Sequence, residues 1–181
     1  MNVIANYGWS DYDESNLAAS ADYVVESLGM QAMIGYYGLT NGVVRLLPEA
    51  GVRYIHTKQH EYTNSIGVTY DNTSNDVFTG IVGARITAIG GNANGLKIIP
   101  EAKIAFTYDI ENGEDNETLV TLPNGASYTV HGKGLNRFGI EVGAGITAEI
   151  NDKVDLSVTY EGRFRKDYSD HTGMVKGQYK F

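Results

Sequence analysis

Four glutamates stand where alternation along extended segments turns them to one side of the chain: Glu49, Glu101, Glu141 and Glu161. Inside a narrow barrel such carboxylates would converge and perturb one another's protonation. The four histidines, His56, His60, His131 and His171, fall at loops and strand ends without the spacing of a metal site. They read as solvated or interfacial side chains. The run GGNANG over residues 90–95 is rich in glycine but lacks the lysine and Ser/Thr of a phosphate loop, so it reads as a turn. Ser157 sits in no nucleophile elbow and reads as a strand hydroxyl. These residues point to no enzyme, no cofactor and no metal.

The segments that position them share one rule. From Phe138 every second residue is apolar (Phe138, Ile140, Val142, Ala144, Ile146, Ala148, Ile150), with Gly139, Glu141, Gly143, Gly145, Thr147 and Glu149 between. Beyond a two-residue turn at Asn151-Asp152, the apolar series is Val154, Leu156, Val158, Tyr160, Gly162 and Phe164. Its polar partners include Asp155, Ser157, Thr159, Glu161, Arg163 and Arg165. The ending GMVKGQYKF sets Val175, Gly177, Tyr179 and Phe181 against Lys176, Gln178 and Lys180. Period two sustained in this way is the signature of β-strands. Similar alternation puts Ile98, Ile104, Phe106 and Tyr108 opposite Glu101, Lys103, Thr107 and Asp109. It also puts Val82 and Ile86 opposite Arg85, and Leu46, Val52 and Tyr54 opposite Glu49 and Arg53. Weaker strands are expected from Val24 to Tyr36 and from Val3 to Trp9. About eight strands result, joined as consecutive antiparallel hairpins.

LLPEAGVRY, from Leu46 to Tyr54, aligns with IIPEAKIAF, from Ile98 to Phe106, with Pro-Glu-Ala fixed in both. Two strands opening alike with one running back between them suggest a meander of repeated hairpins. A pair of repeats does not make a solenoid. Connections at residues 37–43, 90–96 and 151–152 are short, while those at 11–22, 58–76 and 109–133 are long and polar. The last, at 167–172, breaks that alternation by being short.

Composition bounds the remaining choices. The chain has 181 residues, 22 glycines, 13 tyrosines, 3 prolines and no cysteine, which suits one all-β domain over residues 1–181 without disulfides. A net charge of −8 leaves no basic stripe for nucleic acid. No apolar run is long enough for a transmembrane helix, but membrane strands never build one. The start MNVIANYGWSDYDE shows neither a basic n-region nor an apolar h-region.

Alternation alone does not say which face is wet. A soluble lipocalin-like barrel would turn the apolar face inward. Three features favour lipid outside: both charge signs along the polar faces, aromatics near strand ends, and a chain finishing on an aromatic ring. On that reading Glu49, Arg53, Arg85, Glu101, Lys103, Glu141, Glu161 and Arg163 face a hydrated lumen. Charges are expected to pair within a strand: Glu49 with Arg53, Glu101 with Lys103, Glu161 with Arg163. Ile104, Phe106, Ile140, Val142, Leu156 and Val158 face lipid. The fold class is a transmembrane antiparallel up-and-down meander β-barrel.

The two Pro-Glu-Ala openings and the run from Phe138 to Phe181 resemble the translocator barrel of outer-membrane autotransporters (type V secretion). The resemblance rests on FGIEVGAGITAEI, NDKVDLSVTYEGRF and GMVKGQYKF, and it covers almost the whole chain. It implies a twelve-stranded barrel of which this chain is the last two thirds. It also implies a bacterial outer-membrane location, export of an N-terminal passenger absent from this chain, and no catalysis by the barrel itself. Gly177, Tyr179 and Phe181 resemble the terminal signal read by the barrel assembly machinery. Some relatives cleave the passenger within the pore, but no motif here assigns that role. The alternative is a complete eight-stranded outer-membrane surface protein or adhesin, with the first strand closing on the last.

Overall fold

A computed structural model describes residues 1–15, 19–37, 39–88, 90, 95–111, 117–132, 136–150 and 153–180. Every regular element among them is a strand. The large sheet contains β1 (Asn2–Ser15), β2 (Ser20–Gly35), β3 (Leu39–Asn41), β4 (Val44–Gln59), β7 (Thr73–Ala88), β8 (Leu96–Glu111), β11 (Phe138–Ile150), β12 (Val154–Arg165) and β13 (Tyr168–Tyr179). A small sheet contains β5 (Tyr62–Thr63), β6 (Thr69–Tyr70), β9 (Glu117–Thr121) and β10 (Ser127–His131).

Eight long strands pair in the order β1-β2-β4-β7-β8-β11-β12-β13, each antiparallel to its neighbours, with β3 as a short flap on β4. This is the meander that consecutive hairpins produce. Two side-chain contacts fix its curvature. Arg53 Nη1 on β4 lies 2.7 Å from Glu141 Oε1 on β11, although β7 and β8 separate them in the sheet. Strands are spaced about 4.8 Å apart, so a flat sheet would hold these backbones roughly 14 Å from each other. Arg165 on β12 likewise reaches across β11 to Asp109 on β8. The sheet therefore curls into a half-barrel whose charged face is concave.

Apolar side chains stand on the convex face: Val82 is 64% and Val158 61% exposed, while Asp109 on the concave face is 2% exposed. Ile81, Ala105, Thr79 and Thr107 are the buried neighbours of that inner surface. Close backbone approach demands small residues there. A Cβ on Gly83 would lie 2.5 Å from the carbonyl oxygen of Ile104, and one on Gly139 would lie 2.6 Å from Thr107 Oγ1.

Several expectations need correction. The strands near the amino end run longer than periodicity indicated: β1 continues through Ser15, and β2 begins at Ser20. Their outer halves carry Asp11, Asp13, Glu14 and Asp22, which read as loop until pairing fixed them; Asp13 lies opposite Asp22. The link from β12 to β13 is only Lys166-Asp167, with Asp167 at φ 65°, and β13 already begins at Tyr168. Asp109 is buried in a strand and does not open a solvated loop. The long connections are structured too: β5 and β6 form a hairpin in one, β9 and β10 in the other, and β6 pairs with β9 between them. Among the described residues β1 pairs with β2 alone and β13 with β12 alone, so β1 does not close on β13. The Asn151-Asp152 turn, Phe181, residues 91–94 of the GGNANG run and residues 112–116 of the 109–133 connection lie outside the described residues.

Candidate functional site

The concave face carries the chemistry. Glu141, the fourth residue of β11, has glycines at 139, 143 and 145 on its own side of the strand. Those glycines leave room for long side chains from neighbouring strands to close over it. Arg53 reaches it at 2.7 Å, Lys103 at 3.6 Å and Arg163 at 3.9 Å, and its side chain is 10% exposed. Arg53 also donates from Nε to Gln31 Oε1 at 2.9 Å, tying β2 into the same cluster.

Among the described residues the charges do not pair within one strand as the sequence suggested. Same-face residues two apart on a strand are about 7 Å from each other, whereas a facing neighbour on the next strand lies about 5 Å away. Arg85 on β7 instead contacts Glu49 on β4 at 3.5 Å and Glu101 on β8 at 2.5 Å. Glu49 and Glu101 are the same position of the two Pro-Glu-Ala repeats, so the repeat brackets β7 and its arginine. Lys97 pairs with Glu149 at 2.8 Å, and Lys180 with Asp155 at 2.9 Å. Glu161 lines the same trough and is exposed.

On the opposite face Ile104, Phe106, Leu156 and Val158 are exposed, while Ile140 and Val142 are half-buried among their convex neighbours. Gly177 lies opposite Leu156 and Tyr179 opposite Val154 at the end of β13, both exposed.

Sequence reading missed three clusters. Asp109 accepts from Thr79 Oγ1 at 2.7 Å and from both terminal nitrogens of Arg165, a bidentate pair buried near the loop end. The side-chain type was visible, but a contact that skips a strand leaves no local signal. His56 Nδ1 and the Tyr54 hydroxyl both meet Asp76 Oδ1, at 2.9 and 2.5 Å, on the convex side. Four tyrosines, Tyr12, Tyr23, Tyr62 and Tyr70, stack in sequence with centroid spacings of 5.2, 4.8 and 4.7 Å. This stack carries the order of β1 and β2 into the small sheet. Its facing pairs, Tyr12 with Tyr23 and Tyr62 with Tyr70, could be recognised only once register was known. Burial first, then Tyr70, Tyr23 and Glu14, raises the pKa of Tyr62 above the ordinary phenol value.

All four histidines sit towards the loop end, and each has a partner. His60 lies 3.3 Å from Glu26, His131 lies 3.3 Å from Glu117, and His171 Nδ1 lies 2.7 Å from the Tyr160 hydroxyl. No group of three or more His, Asp or Glu side chains among the described residues is placed to hold a metal ion.

A curled antiparallel meander, charged inside and apolar outside, defines an outer-membrane type of β-barrel. The sequence matches the autotransporter β-domain family over residues 1–161, and the chain belongs to that family, whose place is the bacterial outer membrane. It is 25% identical over 168 residues to outer membrane protein A of Rickettsia conorii (strain ATCC VR-613 / Malish 7), covering 90% of this chain and 8% of that protein. It is likewise 25% identical over 168 residues to outer membrane protein A of Rickettsia rickettsii, covering 90% of this chain and 7% of that protein. The chain thus spans less than a tenth of the length of these relatives.

Proposed function

We propose that this chain supplies most of the barrel through which an amino-terminal passenger reaches the cell surface, and that it anchors that passenger without chemistry of its own. The observation that carries this reading is the Arg53–Glu141 contact across two intervening strands. It turns the ionised side chains towards one shared hollow and leaves the apolar side chains outside. A hollow lined by Arg53, Arg85, Lys103, Arg163, Glu49, Glu101, Glu141 and Glu161 suits water and a polar polypeptide. A surface of Ile104, Phe106, Leu156 and Val158, with Ile140 and Val142 between, suits acyl chains.

Among the described residues the outer edges of β1 and β13 pair with no further strand, and such edges need one, because an unpaired backbone group in hydrocarbon costs several kcal/mol. Strands from outside residues 1–181 fill that gap and complete the family barrel. Gly177, Tyr179 and Phe181 serve as the recognition end for the assembly machinery.

The test uses the full-length protein in cells, with an epitope placed ahead of β1 and external protease added to intact bacteria. Surface exposure of the epitope is expected, and it should fall when β13 is deleted. An epitope that stays inside the cell while the barrel is folded in the outer membrane would refute the export reading.

A further inference from the structure

Among the described residues, Glu49 is the strongly buried carboxylate of the hollow whose bonding is incomplete. Its side chain is 8% exposed, and one oxygen lies 3.5 Å from Arg85 Nε. The other oxygen, Oε1, is buried and has no hydrogen-bond partner. A buried ionised oxygen without a donor is costly, so such an atom calls for a missing partner.

The surroundings say what kind. Glu49 lines a cavity of about 560 Å³ together with Gln31, Met33, Leu47, Arg45 and Glu161. Arg85 is already shared with Glu101 at 2.5 Å. Lys103, also on the wall, is engaged by Glu141 at 3.6 Å. The other charged groups on the wall are the carboxylates of Glu101 and Glu161, the guanidiniums of Arg45 and Arg85 and the Met1 amino terminus, and none of them is hydrogen-bonded to Glu49 Oε1. Arg45 and Arg53 stand four residues to either side of Glu49 on β4, roughly 13 Å away at strand rise, and Arg53 is held by Glu141. Neither supplies the missing donor. A hard divalent cation asks for six or more oxygen ligands, and the described residues offer no such group here. Met33 and Leu47 instead make an apolar wall beside a single carboxylate oxygen, which fits an alkyl stem ending in a charged N–H donor.

We propose that Glu49 binds one ammonium or guanidinium group carried on an apolar stem, with the stem against Met33 and Leu47. This rests on reading the concave face as a hydrated lumen. Two sources share that chemistry: a lysine or arginine side chain of a polypeptide in the hollow, or a diffusible alkylamine.

The full-length protein, folded in detergent micelles with 13C-carboxyl-labelled glutamate, tests it. Glu49→Gln assigns the Glu49 resonance by its loss. Titration with butylammonium and with butylguanidinium should move that resonance saturably, while tetramethylammonium, which has no N–H, should not. By equilibrium dialysis, binding should weaken at least tenfold in Glu49→Gln and stay unchanged in Glu117→Gln at the loop end. A short peptide with one lysine, compared with its norleucine twin, separates the sources. A response to lysine alone supports the side-chain source, and a response only to the free cations supports the diffusible one. No movement of the Glu49 signal with any N–H cation, or equal movement with tetramethylammonium, would overturn the proposal. The wild-type titration stands even if Glu49→Gln folds poorly, and its result does not depend on whether a passenger is exported.

Discussion

Arg53 and Glu141 meet at 2.7 Å from strands that are not neighbours, and their contact reports the curl of the sheet. The two partners are not equivalent. Glu141 answers three cations, Arg53, Lys103 and Arg163, whereas Arg53 also bonds Gln31. Removing Glu141 leaves three like charges facing one another, while removing Arg53 leaves Glu141 two cations. Glu141→Gln should therefore destabilise by about 3–5 kcal/mol, the range for breaking a buried ion pair. Arg53→Gln should cost about 1.5–3 kcal/mol, the value of a hydrogen bond to a charged group. Urea unfolding of the detergent-folded protein, followed by tryptophan emission, would check the order. Equal losses would mean that Lys103 and Arg163 do not feel Glu141.

Much of this arrangement could be read from the chain. Alternation from Phe138 to Phe164 gave the two faces and the hairpin, because a strand's side-chain period is fixed at two and the faces differ sharply in polarity. The Pro-Glu-Ala repeat marked two strands flanking a third, and Glu49 and Glu101 do bracket Arg85. Which charges meet could not be read, since alternation gives facing but not curvature. Arg53 reaches Glu141 only because the sheet bends. The small sheet was illegible for another reason. Its strands are two to five residues long and pair between distant loops, so no stretch is long enough to show a period.

Exposure of Val158 and Ile104 on the convex side leads to an asymmetric prediction. If acyl chains cover that face, Val158→Arg or Ile104→Arg should cost about 2–4 kcal/mol near the bilayer midplane. Thr147→Arg and Thr159→Arg, on the concave face, should be milder. Heat-modifiable gel mobility after refolding into vesicles gives the folded fraction of each variant. Greater loss from the threonine substitutions than from the aliphatic ones would invert the facing.

Gly83 offers a test of backbone spacing within β7. A Cβ there would meet the Ile104 carbonyl oxygen at 2.5 Å and Ala105 at 2.7 Å on the paired strand, and neither can swing aside as a long side chain could. Gly83→Ala should lower stability by about 1–3 kcal/mol, the usual penalty for overpacking. Gly173→Ala meets nothing within 4 Å and should be close to neutral. Thermal melting of the two variants side by side separates crowding from the general effect of adding a methyl group.

The tyrosine stack predicts a pH dependence confined to the loop end. Burial and the neighbouring Tyr70, Tyr23 and Glu14 raise the pKa of Tyr62, so folding favours its neutral phenol. An unfolded tyrosine ionises near pH 10, so this contribution is complete below that pH and is lost as pH climbs through the higher folded value. Alkaline titration at 295 nm should lose one late-ionising phenol in Tyr62→Phe, which keeps the ring and its stacking. Tyr62→Ala removes two ring pairs, each worth about 0.5–1.5 kcal/mol beyond burial. Because Tyr62 joins Tyr23 of β2 to Tyr70 of β6, the loss should fall on the small sheet rather than on the barrel. Subtilisin, which stays active at alkaline pH, should then cut near residues 60–72 in Tyr62→Ala at neutral pH, and in the wild type only as pH rises above 10. The long strands should keep their heat-modifiable mobility throughout. A barrel that unfolds together with the loops would show that the stack supports the whole sheet.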